Sequence, residues 1–346
     1  MHSGGKRQSS RGRRKTGRER VLTSNQRHGG ATDGGSEPPA AGEIPRRART
    51  GRTSQEGKSA YDFDQMRGEA DKQKRNNGGR QPTRLHPVEG RHNLLVKQLR
   101  GAFARGELTP DGDCAIEGVR IVEEALRSGL KFRAVFFSRS AEAKAQRLMP
   151  QIAAHVETLL LPNKVFAAAV PSETPQGVAA LVRCREFSLE DVLAKADSGP
   201  LVAIAGIQDP GNLGTILRSA EAFGAGGAIL GEGTAGVFNS KVIRASAGSA
   251  FRLPFARTQL GDAIARMRDR GLRLVATSSH QGTRLDEANL SLPLSIFIGS
   301  EGAGLPQEFM AEMDEVLAIP HSPQVESLNA GVAASIVLYE AARQRR

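Results

Sequence analysis

Three short stretches in the second half of the chain carry residue types able to do chemistry, and each follows an apolar run. The first is Asn212-Leu213-Gly214-Thr215-Ile216-Leu217-Arg218, behind an Asp209-Pro210-Gly211 turn. The spacing predicts a helix capped by Asn212, with Arg218 in its first or second turn. A cation near the positive end of the macrodipole is disfavoured, so an anion is expected opposite it: Asp209, Glu221 or a bound phosphate. The second stretch is Ile298-Gly299-Ser300-Glu301-Gly302-Ala303-Gly304-Leu305. Its glycines let the backbone approach a ligand closely while Glu301 presents a carboxylate; the alternative is a tight turn with Glu301 in solvent. The third begins where Pro320 ends the apolar run Val316 to Ile319, and leads to Ser327-Leu328-Asn329 at the mouth of a long helix. In that helix Val332, Ile336, Leu338, Tyr339 and Ala342 suit a core-facing stripe. Ala330, Gly331, Ala333, Ala334 and Ser335 are small enough for another backbone or a flat ligand to approach.

The elements that position these loops form an α/β pattern. LVAIAGI, from Leu201, reads as a central parallel strand because it is almost wholly apolar. All three loops follow predicted strands and so can open on the carboxyl edge of one sheet, where open α/β folds bind ligands. Gly231, Gly233 and Gly236 lack the following helix and the downstream acid of a dinucleotide loop, and that reading is discarded. Lys241 and Arg244 fall on one face if helical. Upstream, residues 91–185 alternate helix and strand as a small α/β domain. A Ser140-capped helix is expected there, and Asn93, Lys97, Glu117, Gly118 and Arg120 stand as polar positions among apolar ones, most simply a solvated face. Residues 186–199 read as a connector, and 200–346 as the second domain.

Composition narrows the partners. The chain has 346 residues and a net charge of +11, with 39% hydrophobic and 4% aromatic residues, no Trp and two cysteines. Residues 1–90 hold 20 Lys and Arg against 10 Asp and Glu, and the remainder 28 against 27. That segment is poor in branched apolar residues and is expected to be a disordered basic tail. Its Arg11, Arg13, Arg14, Lys15, Arg18 and Arg20 could hold phosphates; a solubilising extension is the other reading. The scarcity of aromatics argues against an extended base-stacking platform. Cys114 and Cys184 form no CxxC, so neither a zinc site nor a disulfide framework is expected. No apolar run is long enough to span a bilayer, and the basic start is followed by no signal-peptide core.

The three stretches, in this order and spacing, closely resemble the motifs of the TrmH/SpoU family of RNA ribose methyltransferases, within the SPOUT superfamily. Residues 91–185 more weakly resemble that family's ribosomal-protein-like substrate-binding domain, notably at Asn93-Leu94-Leu95-Val96-Lys97 and Ile116-Glu117-Gly118. The resemblance implies a C-terminal α/β-knot, a parallel sheet with a trefoil knot, preceded by the small α/β substrate-binding domain and the tail. It implies a cytoplasmic homodimer with sites at the subunit interface, S-adenosylmethionine as cofactor and no metal. The substrate is expected to be RNA, ribosomal RNA ahead of transfer RNA, methylated on a ribose 2′-OH. By matching position, Gly299, Ile319 and Leu328 would hold the cofactor through main-chain groups. Arg218, Asn212, Glu301, Ser327 and Asn329 would form the catalytic surroundings.

Two departures from the family pattern lie in the third stretch: His321 and Pro323 stand where Met and Gly are usual, and Ala330-Gly331 where Val-Ser is usual. No His, Lys or Cys lies among the matched motif residues to act as an obvious base; His321 lies in the third loop, at a position the family usually fills with Met. Arg218 is effectively always protonated, which favours a clamp on the target's phosphate. The alternative function is an RNA-binding module of the same fold without turnover.

Overall fold

In the computed structural model the described residues are 84–279 and 281–346. The Arg11–Arg20 cluster and nearly all of the expected tail lie outside them. The described residues nevertheless include a strand ahead of the expected boundary at Arg91. Strand β1 (Leu85–Pro87) pairs in parallel with β4 (Glu157–Leu161). Ahead of it, Arg84 donates to the carbonyls of Met149, Ile152 and Ala153, at 3.3, 3.0 and 2.7 Å.

The first sheet has the order β1-β4-β3-β5-β2, with β2 (Asp113–Glu117), β3 (Lys131–Ser138) and β5 (Val178–Arg183). Strand β5 runs antiparallel to both its neighbours. Helices α1 (Leu94–Arg105), α2 (Val119–Arg127), α3 (Glu142–Leu148) and α4 (Asn163–Ala167) connect the strands. Asn93 is the cap of α1, accepting from the amides of Leu95 and Val96 at 2.9 and 3.3 Å. Leu94 is exposed, and the buried face uses Leu95, Val96, Leu99 and Ala102. Ser140 caps nothing: α3 begins after a 3-10 turn at Ala141, while Ser140's hydroxyl pairs with that of Ser138 at 3.0 Å. Glu117 is buried and accepts from Ser172 at 2.6 Å, so it does not belong to a solvated face. Cys114 and Cys184 are both buried and free.

The second sheet has the order β10-β12-β9-β11-β6-β7-β8, and every pairing in it is parallel. Its strands are β6 (Leu201–Ile204), β7 (Gly227–Leu230), β8 (Phe255–Arg257), β9 (Arg273–Ser278), β10 (Thr283–Arg284), β11 (Leu294–Ile298) and β12 (Glu315–Ala318). Both faces are covered, as a parallel sheet requires. Val202 and Ile204 point into a core with α6 (Pro210–Ala222) and α11 (Ala330–Gln344). Leu201 and Ala203 point the other way, against α5 (Leu189–Leu193) and α9 (Leu260–Asp269). Helix α5 belongs to the expected connector. Ser188 and Asp191 close a capping box on it, and Val192 and Leu193 are buried, so the connector is packed onto the sheet. Helices α7 (Ser240–Ser246) and α8 (Ser249–Arg252) reach toward the first domain, whose core takes in Ile243. Arg252 bridges Glu221 and Glu124 at 2.5 and 2.6 Å.

Candidate active site

Helix α6 starts earlier than its sequence suggests. Asp209 is the cap, accepting from the amide of Asn212 at 2.8 Å, and Pro210 occupies the first helical position, where no N–H is needed. Asn212 is therefore already inside the helix, and Arg218 enters the third turn. The macrodipole falls off within the first turn, so it creates no need for an anion at Arg218. Neither expected protein partner meets it. Asp209 is engaged in the cap, and Glu221 is held by Arg252. Burial pushes the Glu221 carboxyl up, but hydrogen bonds from Arg252 and Ser249 outweigh it and leave that carboxyl below its ordinary range. Arg218 is exposed, with no ion pair or side-chain hydrogen bond among the described residues.

Helix α11 packs directly on α6. Gly331 lies against Thr215, and the hydroxyls of Ser219 and Ser335 meet at 2.7 Å. The buried face consists of Ala330, Gly331, Ala334, Val337, Leu338 and Ala341. The expected stripe is thus corrected: Val332 and Tyr339 are 47% and 52% exposed, with Tyr339 edge-on to Phe223. Small residues, not branched ones, let two helices approach this closely. Asn329 caps α11 by accepting from the amide of Val332 at 3.2 Å, and its Nδ2 donates to Oδ1 of Asn212 at 2.8 Å. Both helix mouths are thereby tied together.

Beside this junction lies a cavity of about 320 Å³ at the carboxyl edge of the sheet. Its walls are the loop after β11, the loop after β12 and the end of β9. Strand β9 pairs with both β11 and β12, which places Thr277, Ser278 and Ser279 between the two loops. Gly299, Glu301, Ile319, Ser327 and Leu328 all line the cavity. Asn212, Arg218 and Asn329 do not. The loop after β11 folds back on itself through paired hydrogen bonds between Ser300 and Gly304, at 3.0 and 2.9 Å. A Cβ at Gly299 would overlap the backbone of Gly304 and Leu305, so only glycine permits that fold. Gly304 adopts a φ of 67°, the left-handed region. His321 lines the cavity, with Nδ1 2.7 Å from the carbonyl oxygen of Ile319.

Residues missed at the level of sequence are Thr277, Ser278 and Ser279, together with Met310, whereas Leu305, Ala330 and Ala333 belong to stretches the sequence had singled out. The small polar run closing LVATSS was a usable signal, but only strand order shows that it ends between two loops. Among the described residues the lining contains no Lys or Arg, one carboxylate and many main-chain groups. Such a wall suits a neutral or cationic ligand with a flat heterocycle and is unsuited to a polyphosphate. S-adenosylmethionine, which carries a sulfonium and no phosphate, fits that donor set.

The SpoU rRNA Methylase family model matches residues 200–339, and a model of the MRM3-like substrate binding domain matches residues 93–180. The chain is 31% identical over 255 residues to the 23S rRNA (guanosine(2553)-2′-O)-methyltransferase RlmP of Bacillus subtilis, covering 74% of this chain and 98% of that protein. Among solved structures, the AdoMet-bound rRNA methyltransferase from Sinorhizobium meliloti aligns with a TM-score of 0.63 and 30% identity, covering 75% of this chain and 98% of its own. The SpoU methyltransferase AviRb from Streptomyces viridochromogenes, in complex with the cofactor AdoMet, aligns with a TM-score of 0.63 and 28% identity, covering 73% and 98%.

Proposed function

The chain belongs to the SpoU rRNA methylase family, and from that premise we propose how its residues carry out the reaction. The protein is an S-adenosylmethionine-dependent RNA methyltransferase acting on a ribose 2′-OH of ribosomal RNA. The observation that carries this reading is the cavity at the carboxyl edge, where Gly299, Ile319 and Leu328 converge in a wall that holds no Lys or Arg among the described residues.

When bound, S-adenosylmethionine supplies a methyl group already activated on sulfur. The protein's task is therefore to orient the ribose and manage the poor acidity of its hydroxyl. Main-chain groups of Gly299, Ile319 and Leu328 hold the adenosyl part. Glu301 and Ser327 face the cavity and orient the ribose. Asn212 and Asn329, locked to each other, set the spacing between the α6 mouth and the cavity rim. Arg218 clamps the phosphate of the target nucleotide and thereby fixes the hydroxyl.

Arg218 does not line its own chain's cavity, and this supports a homodimer in which the α6–α11 surface meets a second copy. The exposed apolar pair Val332 and Tyr339 on α11 favours the same face. The trefoil knot is proposed on the family resemblance alone. The domain limits proposed are a basic tail before the first strand, a substrate domain to residue 185, a connector at 186–199 and the transferase domain from 200. No helix among the described residues is long and apolar enough to cross a membrane, and none of their His, Cys, Asp and Glu groupings could hold a metal ion. On its resemblance to the family we place the enzyme in the cytoplasm, acting without metal.

The test is methyl transfer from labelled S-adenosylmethionine to ribosomal RNA, with 2′-O-methyl positions mapped in the product. Transfer to a base atom, or no transfer by a protein that binds cofactor, overturns the reading.

A further inference from the structure

A second cavity, of about 700 Å³, opens where the end of α1, the start of the connector and the loop after β7 meet. Its floor is aromatic. Phe187, Phe238 and Phe255 line it, the last two with ring centroids 5.8 Å apart and planes tilted by 59°. Only 13 Phe occur in the whole chain, so three in one hollow is a concentration that average composition hides.

The rim carries two arginines with two carboxylates, Glu107 and Glu186, beside them. Arg105 is exposed and makes only a loose 4.0 Å approach to Glu107. Arg185 is exposed too, stacked over the Phe187 ring at 4.7 Å, with no ion pair among the described residues. Arg257 is used differently: its guanidinium donates to the carbonyls of Thr234 and Ala235 at 3.0 and 2.8 Å, which fixes the wall. Where the two domains touch, Gly106 adopts a φ of 66°, and a Cβ at Gly236 would stand 3.2 Å from the Gly106 carbonyl oxygen. The hollow is therefore built from both domains at close backbone approach.

Its position relates it to the first cavity. Thr234 and Gly236 follow the carboxyl end of β7 and Arg257 is the last residue of β8, on the same sheet edge as the cofactor cavity. Three strand spacings separate β8 from β11, or roughly 14 Å at about 4.8 Å each. A single strand of RNA with one ribose at the first cavity can lay a nearby nucleotide over the second.

We propose that this cavity receives an unstacked nucleotide of the substrate RNA other than the methylated one. Its base lies against Phe187 and Phe238, and its phosphate between Arg105 and Arg185. The proposal rests on the RNA methyltransferase reading and adds where the substrate is gripped. Splayed bases stacked on aromatic rings and guanidinium planes are the usual means of gripping single-stranded RNA. Glu107 and Glu186, also on the rim, offer acceptors for the amino groups of a base edge.

The test uses the full chain with S-adenosylmethionine and an in-vitro-transcribed 23S ribosomal RNA carrying 4-thiouridine. The expected result is photocrosslinks in the peptides holding Phe187 and Phe238. In the double variant Arg105→Gln with Arg185→Gln, the KM for RNA should rise about tenfold (roughly 1.4 kcal/mol), while kcat and the affinity for S-adenosylmethionine hold. Both arginines are exposed, so the fold should tolerate the change; Phe187→Leu, which keeps the apolar floor but removes the ring, should raise the same KM alone. Crosslinks confined to the first cavity, with an unchanged KM for RNA in both variants, overturn the proposal. Absence of methyl transfer by the unmodified chain, with crosslinks still at Phe187, would strike the reading of the reaction and support the grip.

Discussion

Asn329 Nδ2 donates a 2.8 Å hydrogen bond to Asn212 Oδ1, joining residues 117 positions apart at the mouths of two helices. The same Asn329 caps α11 through Oδ1. One side chain thus serves a helix end and a tertiary link, and substitution can separate the two. Asn329→Asp keeps an acceptor for the cap but loses the donor to Asn212. It should leave the melting temperature nearly unchanged while lowering turnover. Asn329→Ala loses both, and should cost roughly 0.5–2 kcal/mol of stability for the cap as well as activity. Denaturant melts and single-turnover assays on the two variants check this; equal turnover in the Asn329→Asp variant and the wild-type protein would show that the link is dispensable.

Arg218→Ala should leave melting temperature and cofactor affinity intact, because no partner among the described residues holds the side chain. Turnover should fall by about 10²-fold or more, the usual loss when a charge-positioning donor is removed. Arg218→Lys should recover only part of it, since lysine lacks the planar fork that grips phosphate. Near-normal turnover in the alanine variant would end the assignment.

Gly299→Ala should weaken S-adenosylmethionine binding at least tenfold, about 1.4 kcal/mol. The added methyl overlaps the Gly304–Leu305 backbone and must open the loop. Calorimetry with cofactor alone reads the effect directly. Retained affinity would mean that the loop can shift without closing the cavity.

Two truncations distinguish tail from domain. Removing residues 1–83 should leave the melting temperature unchanged, while RNA affinity falls and its dependence on salt becomes shallower. Removing residues 1–90 also deletes β1 and the three carbonyl contacts of Arg84, and should lower the melting temperature as well. Identical melting of the two proteins would refute a structural role for β1.

Glu340, near the end of α11, has its pKa lowered from 4.5 to about 2, chiefly by hydrogen bonds from Arg343 and then Gln344. A carboxyl whose folded pKa is depressed stabilises the protein above its unfolded pKa, and that contribution is lost as pH falls through the folded value. Acid titration of stability should therefore show a component fading between pH 4.5 and about 2 that is missing in Glu340→Gln. Gln344 also donates to the carbonyl of Ala288, so the loss should appear as loosening of α11 from the sheet. Hydrogen exchange along α11 across that pH range locates it.

The chemistry-bearing loops were legible in the sequence because each is a local pattern. An apolar strand followed by glycines, a carboxylate or a Ser-Leu-Asn helix mouth needs only neighbouring residues to be recognised. The same holds for the parallel character of the second sheet, written in the unbroken apolar run from Leu201. What sequence could not supply were relationships settled by strand order and helix packing. Thr277 to Ser279 join the cavity only because β9 lies between β11 and β12. Val332 and Tyr339 have the apolar character of core residues but face outward, since the contact with α6 selects Gly331 and Ser335 for close approach. Arg218 was misplaced by the cap: Asp209 and Asn212 are both good capping residues, and Pro210 decided between them by fitting the first helical position. Local sequence determines which groups can do chemistry; which of them share a cavity depends on backbone pairings between residues far apart in the chain, and these no short window contains.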